Sequence, residues 1–170
     1  TAIVLAAGSD TESRDLLHAA LSDSTVCQLA LSNVRAVLPP ERIIVVIAPG
    51  DEHIKELLGA DLTYVVQEEP LGTGDAVRAA QSLVPDSTEQ VLVTYADTPL
   101  LRPASLRGLL NRHHLMNADF SLLSAVVDQP LPYGRVERGA GGGITAIVEP
   151  EDLGEGDALI HEINVGSYVG

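Results

Sequence analysis

Hydrophobic positions along the chain switch repeatedly between two periods. Residues 2–6 (AIVLA) form a continuous apolar run that breaks at Gly8, the pattern of a strand buried on both faces and ending in a tight loop. From Ser24, read as an N-cap, Val26, Leu29, Ala30, Val34, Val37 and Leu38 recur at helical spacing until Pro39 and Pro40 stop the helix. A second β-branched strand, 43–48 (IIVVIA), is closed by Pro49-Gly50, and 51–58 reads as a short helix ending at Gly59. Residues 63–66 give a third strand. After Gly72-Thr73-Gly74, the positions Ala76, Val77, Ala79, Ala80 and Leu83 give a helix, and 91–95 (VLVTY) a fourth buried strand that leads to Asp97. Pro103 opens a helix running to about Met116, followed by a fifth strand over 121–127, up to which a parallel arrangement is expected. Then 135–137, the Gly-rich turn 139–143 and 144–148 read as an antiparallel hairpin, and 163–169 as one more strand-like run. The predicted fold is α/β and Rossmann-like: a mostly parallel open sheet with flanking helices and a C-terminal antiparallel hairpin.

Composition narrows this picture. With 170 residues and 45% hydrophobic content the chain supports one core, so a single domain over 1–170 is expected, and its stop at Gly170, straight after an apolar run, suggests a truncated C-terminus. A formal charge of -14 argues against unaided binding to nucleic acid or an anionic membrane. The longest apolar stretches fall far short of the roughly 20 residues that span a bilayer, and no basic-then-apolar leader opens the chain, so a soluble, cytoplasmic protein is expected. The single cysteine, Cys27, supports neither an internal disulfide nor a thiolate cluster and reads as a small core residue.

In an open parallel sheet the ligand sits beyond the carboxyl ends of the strands, so three loops carry the candidate chemistry. The first, after residue 7, occupies the place of a phosphate-cradling loop, yet it matches neither GxGxxG nor GxxxxGK[ST] and sets Asp10, Glu12 and Asp15 against one cation, Arg14. A plain, solvated acidic turn fits it equally well. The second, 67–77 (QEEPLGTGDAV), offers backbone amides for a base or phosphate, the two-sided amide of Gln67 and the hydroxyl of Thr73. Alternatively its glycines only shape a strand-to-helix turn with Thr73 or Gly74 as N-cap. The third, 94–101 (TYADTPLL), puts one carboxylate, Asp97, at the crevice mouth, suited either to Mg²⁺ or to capping the turn into the Pro103 helix. His18, His53, His113, His114 and His161 show no HxxxH spacing, which argues against a zinc site, and His113 and His114 read as surface residues late in a helix. No GxSxG elbow is present, and Cys27 lacks a local partner for nucleophilic work.

Six blocks together add a family resemblance: LAAG at 5–8, QEEPLGTGDAV at 67–77, VLVTYADTPLL at 91–101, YGRV at 133–136, ITAIVEPED at 144–152 and EINVGSYV at 162–169. In order and spacing they resemble the N-terminal uridylyltransferase domain of the bacterial bifunctional N-acetylglucosamine-1-phosphate uridylyltransferase/glucosamine-1-phosphate acetyltransferase family. The resemblance implies a nucleotide-diphospho-sugar transferase fold and Mg²⁺-assisted transfer of UMP from UTP to N-acetylglucosamine 1-phosphate, giving UDP-N-acetylglucosamine, a cell-wall precursor, and pyrophosphate. It further implies that Leu5, Ala6, Ala7 and Gly8 approach the nucleotide, that Gln67, Gly72 and Thr73 read the uracil, and that Asp97 ligates Mg²⁺. Tyr95, Gly134, Glu149 and Asn164 fall at the positions that hold the sugar.

The phosphate half departs from the family, whose first loop reads GxGTRM and continues to a Pro-Lys-Val-Leu-His segment. Here the second glycine is Asp10, the Arg is Glu12 and, with a loop about four residues shorter, Asp15 falls at the Lys position. The only lysine is Lys55. The family's second Mg²⁺ ligand, an Asn, and its hexapeptide-repeat acetyltransferase domain have no counterpart in these 170 residues. Three readings follow: a nucleotidyltransferase with impaired turnover, a non-catalytic sugar-nucleotide binding or regulatory module, and a folded remnant that serves as an interaction partner.

Overall fold

The strands β1 (Ala2–Ala6) and β4 (Ile43–Ile47) lie side by side in parallel, and every residue of both is buried. Alternate residues feed two separate cores. Ala2, Val4, Ala6, Ile43, Val45 and Ile47 face one, and Ile3, Leu5, Ile44 and Val46 face the other. Neither face meets water, so both runs are unbroken in their hydrophobicity. The first core is closed by α2 (Val26–Arg35), α3 (Ile54–Leu58) and α5 (Pro103–Met116), through residues such as Leu31, Val34, Leu58, Leu106 and Leu109. The second is closed by α4 (Thr73–Ala80) through Ala76 and Ala80. The computed structural model describes residues 1–8, 11–129, 131–154 and 160–170.

The main sheet has eight strands, with β5 (Thr63–Val66), β4, β1 and β6 (Leu92–Tyr95) parallel and adjacent in that order. The antiparallel strand β10 (Glu162–Val169) follows, and it carries β7 (Ser121–Val126) and the hairpin of β8 (Arg135–Arg138) and β9 (Ile144–Val148). The Rossmann-like parallel core and the C-terminal antiparallel hairpin are as expected. One expectation changes: β7 does not add to the parallel block by hydrogen bonding, because β10 inserts between β6 and β7 and pairs antiparallel with both. Residues 121–127 and 163–169 are similar apolar runs, and which of them lies next to β6 is a non-local choice that local pattern does not encode.

Three local boundaries also differ from expectation. The stretch after Gly8 holds a helix, α1 (Thr11–His18), followed by a small ribbon of β2 (Ala20–Leu21) and β3 (Ser24–Thr25). The N-cap of α2 is Thr25, not Ser24: its hydroxyl accepts from the Gln28 N–H, while the Gln28 side chain accepts from the Thr25 N–H at 2.8 Å, a reciprocal capping box. Short helix α3 begins at Ile54, with a turn over the preceding residues 51–53. By contrast β1, β5 and α5 begin and end where the sequence puts them.

Candidate functional site

The crevice opens where β1, β5 and β6 end. A cavity of about 220 Å³ lies there, and Leu5, Ala7, Gly8, Gln67, Gly72, Thr73, Tyr95 and Asp97 all line it. The backbone ties these ends together: the Gln67 N–H donates to the Ile47 carbonyl at 2.9 Å, and the Ala96 N–H to the Leu5 carbonyl at 2.9 Å. Ala6 departs from expectation, since the alternation of β1 sends its side chain into the first core, 1% exposed and away from the cavity.

The second loop enters α4 through Gly72, not Thr73 or Gly74, as N-cap. Its φ of +101° belongs to the region that favours glycine. The opening N–H groups of α4 lack acceptors within the helix, and Gly72 and Thr73 at its start line the crevice. Gln67, 5% exposed, is held rigidly: its amide nitrogen donates to the Gly72 carbonyl at 3.2 Å and to Asp75 Oδ2 at 3.0 Å. Both amide hydrogens are thereby committed, and Gln67 offers a ligand its carbonyl oxygen only. From the sequence alone its amide offers a donor as well.

Asp97 stands at the mouth. The alternative role of capping the Pro103 helix is not taken up, because α5 has Arg102 at its N-cap with no side-chain cap. The turn is held instead by the Thr98 hydroxyl donating to the Tyr95 carbonyl at 2.9 Å. Although Asp97 counts as an exposed residue, surrounding chain crowds its carboxyl, and this desolvation raises its pKa above the ordinary carboxylate value, with its own backbone N–H in partial opposition. A partly desolvated carboxylate that still reaches the crevice mouth has the chemistry of a ligand for a hard divalent ion.

Gly134, Glu149 and Asn164, expected from the resemblance to hold a sugar, come together near the start of β10. The Asn164 N–H donates to the Gly134 carbonyl at 2.8 Å. Its side-chain amide donates to the Tyr168 hydroxyl at 2.7 Å and accepts the Gly166 N–H at 3.1 Å. Gly134 is a place of close approach: a Cβ there would lie 3.1 Å from Glu149 Oε2. Buried Arg135 fastens the preceding loop by donating to the carbonyls of Tyr133 and Leu131.

Tyr95 joins the two halves. Its hydroxyl lies 2.7 Å from the Thr73 hydroxyl, its ring covers Gly166, and its proximity helps to raise the pKa of the Tyr168 hydroxyl, which burial raises most and Asn164 opposes. A hydrogen-bonded and packed path therefore runs from Thr73 through Tyr95 and Gly166 to Asn164. The resemblance expects Tyr95 to hold the sugar; its side chain also lines the crevice beside Thr73.

Loop one is less hostile than its composition implies. Glu12 and Asp15 lie on the exposed side of α1 and do not line the cavity, whereas Arg14 packs onto Gly8, its Cγ 2.8 Å from where a Cβ of residue 8 would stand. Asp10 lies outside the described residues. Cys27 is buried at the start of α2, 3.2 Å from the Thr25 hydroxyl, and burial pushes its thiol pKa up, the opposite of what a nucleophile needs. His113 is not a surface residue: it is 7% exposed and pairs with the Ser121 hydroxyl at 3.0 Å. The spacing of the histidines also hides one constellation, for His18 and His53 converge on Asp51. The pair Asp51-x-His53 at the end of a buried strand was the available signal, and the third member lies 33 residues earlier.

A parallel α/β sheet with its ligand crevice at the strand ends, flanked by a glycine-opened helix and a lone carboxylate, defines a Rossmann-like nucleotide-handling domain. The chain belongs to the MobA-like NTP transferase domain family, whose profile matches residues 2–140. It is 40% identical over 174 residues to the bifunctional protein GlmU of Heliobacterium modesticaldum, covering 99% of this chain and 37% of that protein. It is 38% identical over 171 residues to the bifunctional protein GlmU of Streptococcus equi subsp. zooepidemicus, again over 99% of this chain and 37% of the relative. The chain thus spans under two fifths of the length of these relatives and matches their N-terminal domain. The fold is shared with 4-diphosphocytidyl-2C-methyl-D-erythritol synthase from Anaerococcus prevotii, at a TM-score of 0.67 and 16% identity, over 99% of this chain and 68% of that one. No helix among the described residues is long and apolar enough to cross a membrane.

Proposed function

We propose that this domain is a nucleotidyltransferase of the uridylyl type, in which a phosphate oxygen of N-acetylglucosamine 1-phosphate attacks the α-phosphorus of UTP. The bond from that phosphorus to the bridging oxygen breaks, pyrophosphate leaves, and UDP-N-acetylglucosamine remains. The observation that carries the reading is the continuous path from Thr73 through Tyr95 and Gly166 to Asn164, which couples a nucleotide-side cavity to a polar cluster suited to sugar hydroxyls. The Gln67 carbonyl oxygen suits the N3–H of uracil, and the free amides opening α4 suit its carbonyl oxygens. Glu149 and Asn164 would hold the sugar and its acetamido group. Asp97 would hold Mg²⁺, which supplies charge neutralisation at the phosphates.

Turnover is expected to be slow. Nucleotidyl transfer relies on positioning and on cations at the developing charge, and each lost contact costs on the order of 10²- to 10³-fold. Loop one keeps Arg14 but carries Glu12 and Asp15 in place of the family's Arg and Lys. That same observation favours a second reading, a sugar-nucleotide binding or regulatory module without catalysis.

Two assays separate these readings. Titration of UDP-N-acetylglucosamine with Mg²⁺ present is expected to give saturable binding that Asn164→Ala abolishes, and pyrophosphate release from UTP and the sugar phosphate is expected to be weak but measurable. Binding without release supports the module; a folded protein with neither binding nor release removes both. Glu12→Arg with Asp15→Lys is expected to raise UTP affinity, and no gain would mean that loop one has left the site.

A further inference from the structure

We propose that His18, Asp51 and His53 form a binding site for a divalent transition metal of the zinc class, separate from the carboxylate at the crevice mouth. His18 Nε2 lies 3.2 Å and His53 Nδ1 3.0 Å from the same oxygen, Asp51 Oδ1, and one donor atom from each residue falls within 4.8 Å of the others. Tetrahedral zinc with bonds of about 2.0–2.1 Å sets its donors roughly 3.3 Å apart, so both histidine-to-carboxylate spans already match. The remaining adjustment falls to His53, whose side chain is 60% exposed and stacks on His18 at 4.3 Å between ring centroids.

Asp51 supplies the second, independent observation. It is 5% exposed, and its Oδ2 is buried without any hydrogen-bond partner among the described residues. A buried carboxylate with two imidazoles on one oxygen and nothing on the other is unfavourable as it stands. A cation between the three groups would engage the carboxylate and give each imidazole a bond in place of a shared acceptor. Asp51 is also fixed in place, its N–H donating to the Ala48 carbonyl and its carbonyl accepting from the Ile54 N–H.

The donor set decides the metal. Two imidazoles and one carboxylate suit zinc, cobalt or nickel, whereas Mg²⁺ asks for an all-oxygen octahedron. Three protein ligands leave a position for water on the side where His53 is exposed. His18 ends α1, and Ser13 and Leu17 of the same helix line the nucleotide cavity, so a metal here would bear on that cavity's wall. A metal here pins that helix to the loop after β4, independently of whether the domain turns over nucleotide.

The test uses chelator-stripped protein titrated with Zn²⁺ against a chromophoric competitor, and with Co²⁺ read by its visible absorption. One equivalent is expected to bind, with intense tetrahedral Co²⁺ bands, a higher melting temperature, and no displacement by excess Mg²⁺. His53→Gln, at an exposed position that leaves folding undisturbed, is expected to weaken Zn²⁺ at least about a hundredfold and to remove the Co²⁺ bands. His114→Gln, an exposed histidine elsewhere, is expected to change nothing. Absence of stoichiometric binding, or equal binding by wild type and His53→Gln, overturns the proposal.

Discussion

Single atoms decide how tightly the candidate site is built. Gly166 has φ +83°, and a Cβ there would stand 2.7 Å from Tyr95 Cε2. Gly166→Ala is therefore expected to cost about 1–3 kcal/mol through backbone strain and overpacking, read as a lower urea midpoint, and to weaken sugar-nucleotide binding by displacing Tyr95. An unchanged midpoint would show that the ring moves freely. At this scale the sequence was informative wherever chemistry follows from position on a strand: Leu5, Ala7, Gln67 and Asp97 fall at or just past strand ends and do line the crevice. It was silent on partners. That both Gln67 hydrogens are committed, that Tyr95 reaches Thr73, and that His18 meets Asp51 are facts of contact between residues 5 to 33 apart in sequence.

Among elements, legibility follows burial. β1 and β4 were readable because strands packed in the middle of an α/β stack become continuous apolar runs, and α5 because proline preorganises its first turn. α1 was not, since Leu17 is its only buried residue and Thr11 to Asp15 are all polar, so its sequence resembles an acidic loop. The N-cap of α2 lies one residue beyond Ser24 because Ser24 and Thr25 are equally good caps in composition, and only the reach of Gln28 chooses between them. Thr25→Ala is expected to lower stability by about 1 kcal/mol and Thr25→Ser to restore most of it, measured by thermal or urea unfolding. Equal stability of the alanine variant would mean that the β3 pairing, not the cap, sets the start of α2.

On the scale of the whole molecule, β10 is the strand on which the antiparallel half depends, pairing with β6, β7 and β8. Its first residue is pinned by charge: Glu162 meets Arg138 of β8 at 2.6 and 2.7 Å and accepts from Ser124 of β7 at 2.5 Å. The Arg138 guanidinium, with help from Ser124, lowers the Glu162 pKa from 4.5 to about 2. The native carboxylate therefore stays charged where that of the unfolded chain takes up a proton. The stabilisation is whole above about pH 4.5 and is lost as pH falls towards 2. With Arg138 41% exposed and screened, its size is expected to be about 1 kcal/mol. Glu162→Gln should remove that part of the pH dependence of the urea midpoint, and a parallel loss of stability in both proteins would place the acid sensitivity elsewhere. The arrangement of β10 also sets an order of events in time. Its partners β6 and β7 lie some 40 to 70 residues upstream, so during synthesis or refolding they wait with unpaired edges until 162–169 arrives to close them. Such a late, long-range closure slows folding and leaves a sticky intermediate, and β10 is thereby the strand that protects those edges from association.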